Sequence, residues 1–155
     1  MGSEMCIRDR ATNPNKRESP SFLKENILPI EESGQLHYLQ KDGKSYLTKS
    51  DLGFEVLFVD GHTEKQMIPI VSYKGQKIAF SADLIPTAGH IPLPYIMSYD
   101  VRPLVSMKEK ELFLNFCYEN NVFLFFEHDA SVELCSVKKT GRGVRLNEKL
   151  TLFDL

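Results

Sequence analysis

Three short apolar runs in this chain are each followed, within three residues, by a histidine or an aspartate. The runs lie within residues 54–59, 76–80 and 122–126, and the polar residues that follow are His62, Asp83 and His128. Apolar runs of this length between turn signals are typical of buried strands. Strand ends hold side chains rigidly, and imidazole and carboxylate groups are ligands of zinc, iron and manganese. The pattern therefore predicts a metal site built at strand ends.

The remaining strand patterns form pairs. Residues 36–40 and 46–48 are predicted to form a hairpin across Asp42-Gly43, and residues 66–73 and 76–80 a second one across Lys74-Gly75, because such dipeptides favour tight turns. A last strand pair is predicted at residues 134–138 and 144–146. Residues 122–126 are uniformly apolar, as in strands that are buried on both faces.

Two helices are predicted between these strands. The first starts at Ser19 or Ser21 and runs toward Asn26, and Pro29 ends its pattern. The second covers residues 107–118, with one buried face. That face is predicted to contain Leu112, Phe113, Phe116 and Cys117. The mixture indicates an α/β chain, more closely α+β, in which helices cover the outer face of a mixed sheet and the inner face needs a second sheet.

Three short segments, Gly61-His62-Thr63, Phe80-Ser81-Ala82-Asp83 and Phe126-Glu127-His128-Asp129, occur in this order along the chain. Their sequence and order resemble the C-terminal half of a metallo-β-lactamase-fold hydrolase, over roughly residues 17–140. Residues 17–19, 22–29 and 82–87 are most similar to the lactonase-like or functionally unassigned subgroup. The resemblance implies a truncated αββα sandwich. It also implies that His62 completes one metal site, that Asp83 bridges two ions, and that His128 belongs to the second site.

The HxHxDH motif, which supplies the other four ligands in this family, does not occur in the chain, and Glu64-Lys65 stands where Pro-Gly usually follows Gly-His-Thr. The opening MGSEMCIRDR resembles a translated adapter or cloning sequence. We therefore interpret residues 1–10 as a non-native leader and residues 11–155 as the C-terminal part of a metallo-β-lactamase-like domain that lacks its N-terminal half. A natural polar leader is the alternative.

The resemblance also implies a chemistry. Two zinc ions are expected in the intact parent protein, with iron or manganese as alternatives, and metal-bound hydroxide would attack an ester or lactone bond of a small molecule. Without the upstream ligands, the chain alone is expected to hydrolyse little. Two other classes stay open: a non-catalytic remnant or binding module of the same fold, and a phosphodiesterase on that fold, which the lack of a basic face disfavours.

Neighbours of the three ligands are further candidates. Thr63, Glu127 and Asp129 are predicted to orient the imidazoles, although Thr63 is equally suited to stabilising a turn. A proline-rich stretch follows Asp83, in the part of the chain where the family lines its substrate pocket. The candidate pocket residues there are His90, Tyr95 and Asp100; a solvated loop is the alternative for each.

Composition limits the remaining choices. The 155 residues have a net charge of −2 and are 42% hydrophobic, which suits one domain-sized core. The chain has neither a basic stripe nor an apolar run of about 20 residues, so no nucleic-acid or membrane partner is expected. Its cysteines, Cys6, Cys117 and Cys135, match no disulfide framework. Reduced thiols and a cytoplasmic location are expected.

Overall fold

The computed structural model describes residues 12–17, 19–41, 43 and 45–155. The chain divides into two compact units, Met1–Thr48 and Lys49–Leu155. The interpretation of residues 1–10 as a leader lies outside the described residues, as do Cys6 and Asp42 of the first predicted turn.

The described part of the first unit contains helix α1 (Lys24–Glu32). The predicted limits of this helix are wrong at both ends, because it begins after Leu23 and continues through Pro29. A proline inside a helix costs one backbone hydrogen bond and crowds the preceding turn, yet this helix extends to Glu32. The chain then leaves the helix at Ser33, whose N–H donates to Pro29 O at 3.0 Å.

The first predicted hairpin is also wrong. Residues 35–41 form no strand, and the predicted second strand is reduced to β1 (Thr48–Lys49). Their side chains are mostly exposed. A two-stranded hairpin is marginal in water unless a further element buries one of its faces, and a local turn signal alone does not provide that burial.

The second unit is built on a mixed sheet, as predicted. Its strands are β2 (Glu55–Val59), β3 (Gln66–Tyr73), β4 (Gln76–Phe80), β5 (Val122–Phe125), β6 (Leu134–Thr140) and β7 (Gly143–Leu150). In the described part of the chain the sheet has seven strands, and their order follows the sequence from β1 to β7. Neighbouring strands from β2 to β7 are antiparallel, except that β4 and β5 are parallel.

Helix α2 (Pro103–Glu119) lies in the connection between the two parallel strands. It begins four residues before the predicted start, because Pro103 suits the first turn of a helix, where its missing N–H costs nothing. The helix contacts β5, β6 and β7. Phe113 and Cys117 are buried as predicted, whereas Leu112 is 52% exposed and the buried face includes Leu114 instead.

The two faces of the sheet differ in burial. On one face, Ile68, Ile70, Ala79, Leu124 and Cys135 are at most 3% exposed. Helix α2 contacts β5 and β6, which carry Leu124 and Cys135, so this is the face that α2 covers. The opposite face is only partly covered, and the expectation that β5 is fully buried on both faces is wrong. The partly exposed side chains there are Phe58, Met67, Val71, Tyr73, Phe80, Phe123 and Phe125.

Among the described residues, no helix combines the length and the apolar character that crossing a bilayer requires.

Candidate metal centre

The candidate ligands follow three strands that end at the same edge of the sheet. Strands β4 and β5 are parallel neighbours, so the residues after them, Asp83 and His128, leave the sheet side by side. Strand β2 is antiparallel to β3, which is antiparallel to β4, so β2 and β4 run in the same direction. The turn after β2 therefore carries His62 to the same edge.

The structure brings the three predicted side chains together. His62 Nε2 lies 3.5 Å from Asp83 Oδ2, and His128 Nε2 lies 3.2 Å from Asp83 Oδ1. Each oxygen of one carboxylate therefore faces a different imidazole. The side chains of His62, Asp83 and His128 are 16%, 33% and 51% exposed, so the cluster opens to solvent on the His128 side.

These contacts form two separate pairs. In the part of the chain that the structure describes, no three His, Cys, Asp or Glu side chains surround a single ion position. Asp83 instead contributes one oxygen to the pair with His62 and the other to the pair with His128. Each pair thus brings together one imidazole nitrogen and one carboxylate oxygen, and the two pairs share Asp83.

Asp100 lies behind His62, at its second ring nitrogen. Its side chain is 3% exposed, and Oδ1 accepts a hydrogen bond from His62 Nδ1 at 2.8 Å. A carboxylate only accepts, so Nδ1 carries the proton, and Nε2 points toward Asp83. Asp100 was a candidate pocket residue from its place in the proline-rich stretch. Its hydrogen bond orients the imidazole of His62. Thr63 lies half-buried beside His62, and its role in orienting the ring stays a prediction.

Helix α2 holds the backbone of the turn that carries His62. The carboxylate of Glu109 accepts hydrogen bonds from the N–H groups of Asp60 at 2.8 Å and of Gly61 at 2.9 Å. The Gly61 carbonyl in turn accepts from Arg102 N at 2.8 Å. A Cβ on Gly61 would overlap the backbone N and Cα and the Oγ of Ser106. The glycine is therefore needed for close approach to the helix.

Glu109 gives the stability of this unit a pH dependence. Burial raises the pKa of Glu109 above its ordinary value, and the hydrogen bonds from the backbone N–H groups of Asp60 and Gly61 oppose this. The folded state then binds this proton more tightly than the unfolded chain does. Its contribution is fully present below the unfolded pKa and is lost as the pH rises through the folded pKa. We expect Glu109→Gln to remove this decline in urea-unfolding free energy. An equal decline in the variant would contradict the assignment.

Two carboxylates flank His128, and they act differently. Glu127 Oε2 lies 3.9 Å from His128 Nε2. Asp129 accepts hydrogen bonds from the N–H groups of Ala88, Ser131 and Val132 at 2.9–3.0 Å. Burial would raise the pKa of Asp129, but these hydrogen bonds lower it below its ordinary value. Asp129 therefore fixes the backbone of the loop that carries His128, whereas it was predicted to orient the ring.

The other two candidate pocket residues, His90 and Tyr95, lie in the loop that connects β4 to α2. His90 Nδ1 is 2.8 Å from Thr87 Oγ1. Burial lowers the pKa of His90, the charge of Lys110 lowers it further, and Asp100 opposes both effects. The Tyr95 side chain is 60% exposed. Sequence reasoning missed Glu109 and Lys110 altogether, because their partners are backbone atoms of distant segments.

The Asp100–His62 hydrogen bond leads to a test on zinc binding. We expect Asp100→Asn to lower the affinity of the chain for zinc by about 10–100-fold, because partners of ligating histidines typically have effects of this size. Competition with a chromophoric chelator measures the dissociation constant. Asp51→Asn, the same change in an exposed turn, is the matched control. Equal affinities of the two variants would show that Asp100 does not orient His62.

Known structures share this architecture. No protein-family model and no curated protein sequence matches the chain. A probable metal-dependent hydrolase from Staphylococcus aureus matches at 20% identity and a TM-score of 0.74, over 96% of this chain and 52% of that one. AidC, a dizinc quorum-quenching lactonase in complex with a product, matches at 20% identity and a TM-score of 0.62, over 88% of this chain and 45% of that one. The hydrolase AbOPH of the beta lactamase superfamily matches at 16% identity and a TM-score of 0.66, over 93% of this chain and 50% of that one.

The chain has a metallo-β-lactamase fold. It spans about half the length of each similar structure. This confirms the resemblance that the ordered His and Asp segments indicated, and it confirms the fold class.

Proposed function

We propose that His62, Asp83 and His128 are ligands of a dinuclear metal centre, in a protein that hydrolyses an ester or lactone bond of a small molecule. The observation that carries this proposal is the position of Asp83, whose two oxygens face different imidazole nitrogens at 3.2 and 3.5 Å. A carboxylate that bridges two ions needs this arrangement, because each oxygen then binds one ion. Zinc is the expected metal, with iron or manganese as alternatives.

The donor atoms fit zinc in type and spacing. Two ligands at the usual zinc distances of about 2.0–2.2 Å are about 3.4 Å apart in tetrahedral coordination. The two N–O separations at Asp83 lie close to this value. When bound, such ions lower the pKa of a water molecule toward about 7 and polarise a carbonyl group.

The residues of the chain would prepare the site for this chemistry. Asp100 holds the proton of His62 on Nδ1 and directs Nε2 toward Asp83. His90 and Tyr95 are proposed to line the pocket. A lactone or related ester is the preferred substrate because one similar structure is that of a quorum-quenching lactonase.

We further propose that the other ligands come from the N-terminal half of the same domain. The chain contains no HxHxDH motif and spans about half of the similar structures. Met67, Val71 and Tyr73 are 39–40% exposed on the sheet face opposite α2, where an apolar second sheet would cover them. Residues 11–155 would then be the C-terminal part of an αββα sandwich.

The cytoplasm is the proposed location. Cys117 and Cys135 are free cysteines and both are buried. Thiols stay reduced in that compartment, whereas secreted proteins usually pair theirs.

Zinc protection of individual histidines tests the metal centre. Diethyl pyrocarbonate modifies accessible imidazoles, and mass spectrometry identifies which histidines react. We expect zinc to protect His62 and His128 and to leave His37 in the first unit reactive. The chain alone should hydrolyse lactones little or not at all. If zinc protects neither His62 nor His128, the proposed ligand set is wrong.

Sequencing the source DNA upstream of the codon for Ala11 tests the origin of the missing ligands. An in-frame segment that encodes HxHxDH would support the hydrolase. A start codon at Met1 with no such segment would favour a non-catalytic module of the same fold. If the complete protein hydrolysed a phosphodiester faster than a lactone, the choice of substrate class would be wrong.

A further inference from the structure

Lys110 of helix α2 is a fully buried lysine, with 0% relative exposure. Its Nζ donates hydrogen bonds to three backbone carbonyls of one loop: His90 O at 2.8 Å, Pro92 O at 3.0 Å and Tyr95 O at 2.8 Å. An ammonium group has three N–H donors and no acceptor, so all its hydrogen bonds are made. Lysines are rarely buried to this extent unless a specific partner compensates for the lost hydration.

The loop offers these carbonyls few internal donors, although Pro92 O also accepts a hydrogen bond from Tyr95 N at 3.0 Å. Its regular structure is limited to one 3₁₀ turn, Ala88–His90, and its prolines at 92 and 94 have no N–H to donate. Three converging carbonyl groups point the negative ends of their dipoles at one position, and buried acceptors without a partner are costly. Burial lowers the pKa of Lys110 to about 8, and the charge of Asp100 opposes this, so Lys110 carries its charge at neutral pH.

We propose that Lys110 is a tethered cation that organises the loop between Asp83 and Asp100 and thereby positions both sides of the candidate metal centre. The loop leaves the 3₁₀ turn Ala82–Leu84, which contains Asp83, and it ends at Asp100, which holds His62. Two of the carbonyls on Lys110 belong to His90 and Tyr95, the proposed pocket residues. Lys110 is therefore a positioning residue. Its effect on the loop is independent of the proposed function, whereas its effect on zinc binding rests on it.

If the three carbonyl groups require a cation, they should also bind one that is not attached to the chain. Lys110→Ala removes three methylene groups and the ammonium group, which together correspond to n-propylammonium. We expect n-propylammonium chloride to restore the loop in this variant. 1-Propanol has a similar shape without the charge and should not restore it. Lys108→Ala makes the same change at an exposed position of the same helix and is the matched control.

Hydrogen exchange measured by mass spectrometry on the complete chain follows the loop without any metal. The N–H groups of His90, Ile91 and Tyr95 are hydrogen-bonded within the loop. We expect peptides that cover residues 87–97 to exchange about tenfold faster or more in Lys110→Ala, and to exchange normally in Lys108→Ala. Unchanged loop exchange in Lys110→Ala would overturn the proposal. So would equal restoration by propanol, because Lys110 would then act through its volume alone.

Two further readouts separate the possible failures. If Lys110→Ala unfolds the whole unit, peptides of β3 will exchange faster too, and the same comparison of propylammonium with propanol on those peptides decides the question. Zinc affinity, measured by chelator competition, should fall in Lys110→Ala and recover with propylammonium. If the wild-type chain shows no zinc binding while its loop still requires a cation, the proposed effect of Lys110 on zinc binding fails and its role in the loop stands.

Discussion

Replacing Asp83 with asparagine is expected to abolish zinc protection of both His62 and His128. The two histidines lie in different loops, and each has its own contact with Asp83, at 3.5 and 3.2 Å. An amide has the shape of the carboxylate but no negative charge, and its NH₂ group cannot bind a cation. One substitution should therefore disable both halves of the cluster. We expect zinc affinity to fall by more than about 100-fold, the upper end of the range for residues that only orient ligands.

Asp51→Asn makes the same change in an exposed turn and is the matched control for this experiment. We expect this variant to bind zinc as the wild type does. If Asp83→Asn exposed only His128 to diethyl pyrocarbonate and left His62 protected, Asp83 would serve one ion and the bridging role would be wrong.

Replacing Gly61 with alanine is expected to cause the largest loss of stability. The added Cβ would overlap backbone and side-chain atoms of Ser106, and a helix backbone cannot move aside as a flexible side chain can. Glu109 holds the turn on the helix through two N–H groups, so relieving the overlap breaks these bonds as well. Overpacking costs about 1–3 kcal/mol, and an unpaired buried carboxylate adds to this cost. We expect a loss of about 3 kcal/mol or more.

Urea unfolding measures this loss, and Gly141→Ala provides the control. A Cβ on Gly141 meets no atom within 4 Å, so this change should alter the unfolding free energy by no more than about 0.5 kcal/mol. Because His62 follows Gly61 directly, zinc affinity should fall in Gly61→Ala also. A Gly61→Ala variant as stable as Gly141→Ala would show that the turn does not press on α2.

Local patterns predicted the parts of the fold that depend on local chemistry. The hairpin of β3 and β4 forms as predicted, because Lys74 and Gly75 adopt φ values of 49° and 80°, and this turn type suits the twist of paired strands. The placement of His62, Asp83 and His128 after strand ends was predictable for the same reason. The first unit was predicted poorly, because turn and cap signals there were not matched by a buried face.

The residues that position the site could not be predicted in this way. Asp100 is 38 residues from His62, and Glu109 is 48 residues from Gly61. Neither separation follows a helix or strand period. Lys110 acts on carbonyl groups, which every residue possesses, so no sequence motif marks its partners. Such roles depend on tertiary contacts that become visible only once the strands and the helix are assembled.

The parallel pairing of β4 and β5 imposes a long connection, because parallel neighbours cannot be joined by a tight turn. That connection contains Asp83, Asp100, Glu109 and Lys110. One continuous segment therefore carries a candidate ligand together with the groups that hold the loops around it. The sheet fixes the two ends of this segment. Insertions should be tolerated in it only where they preserve the carbonyl contacts of Lys110.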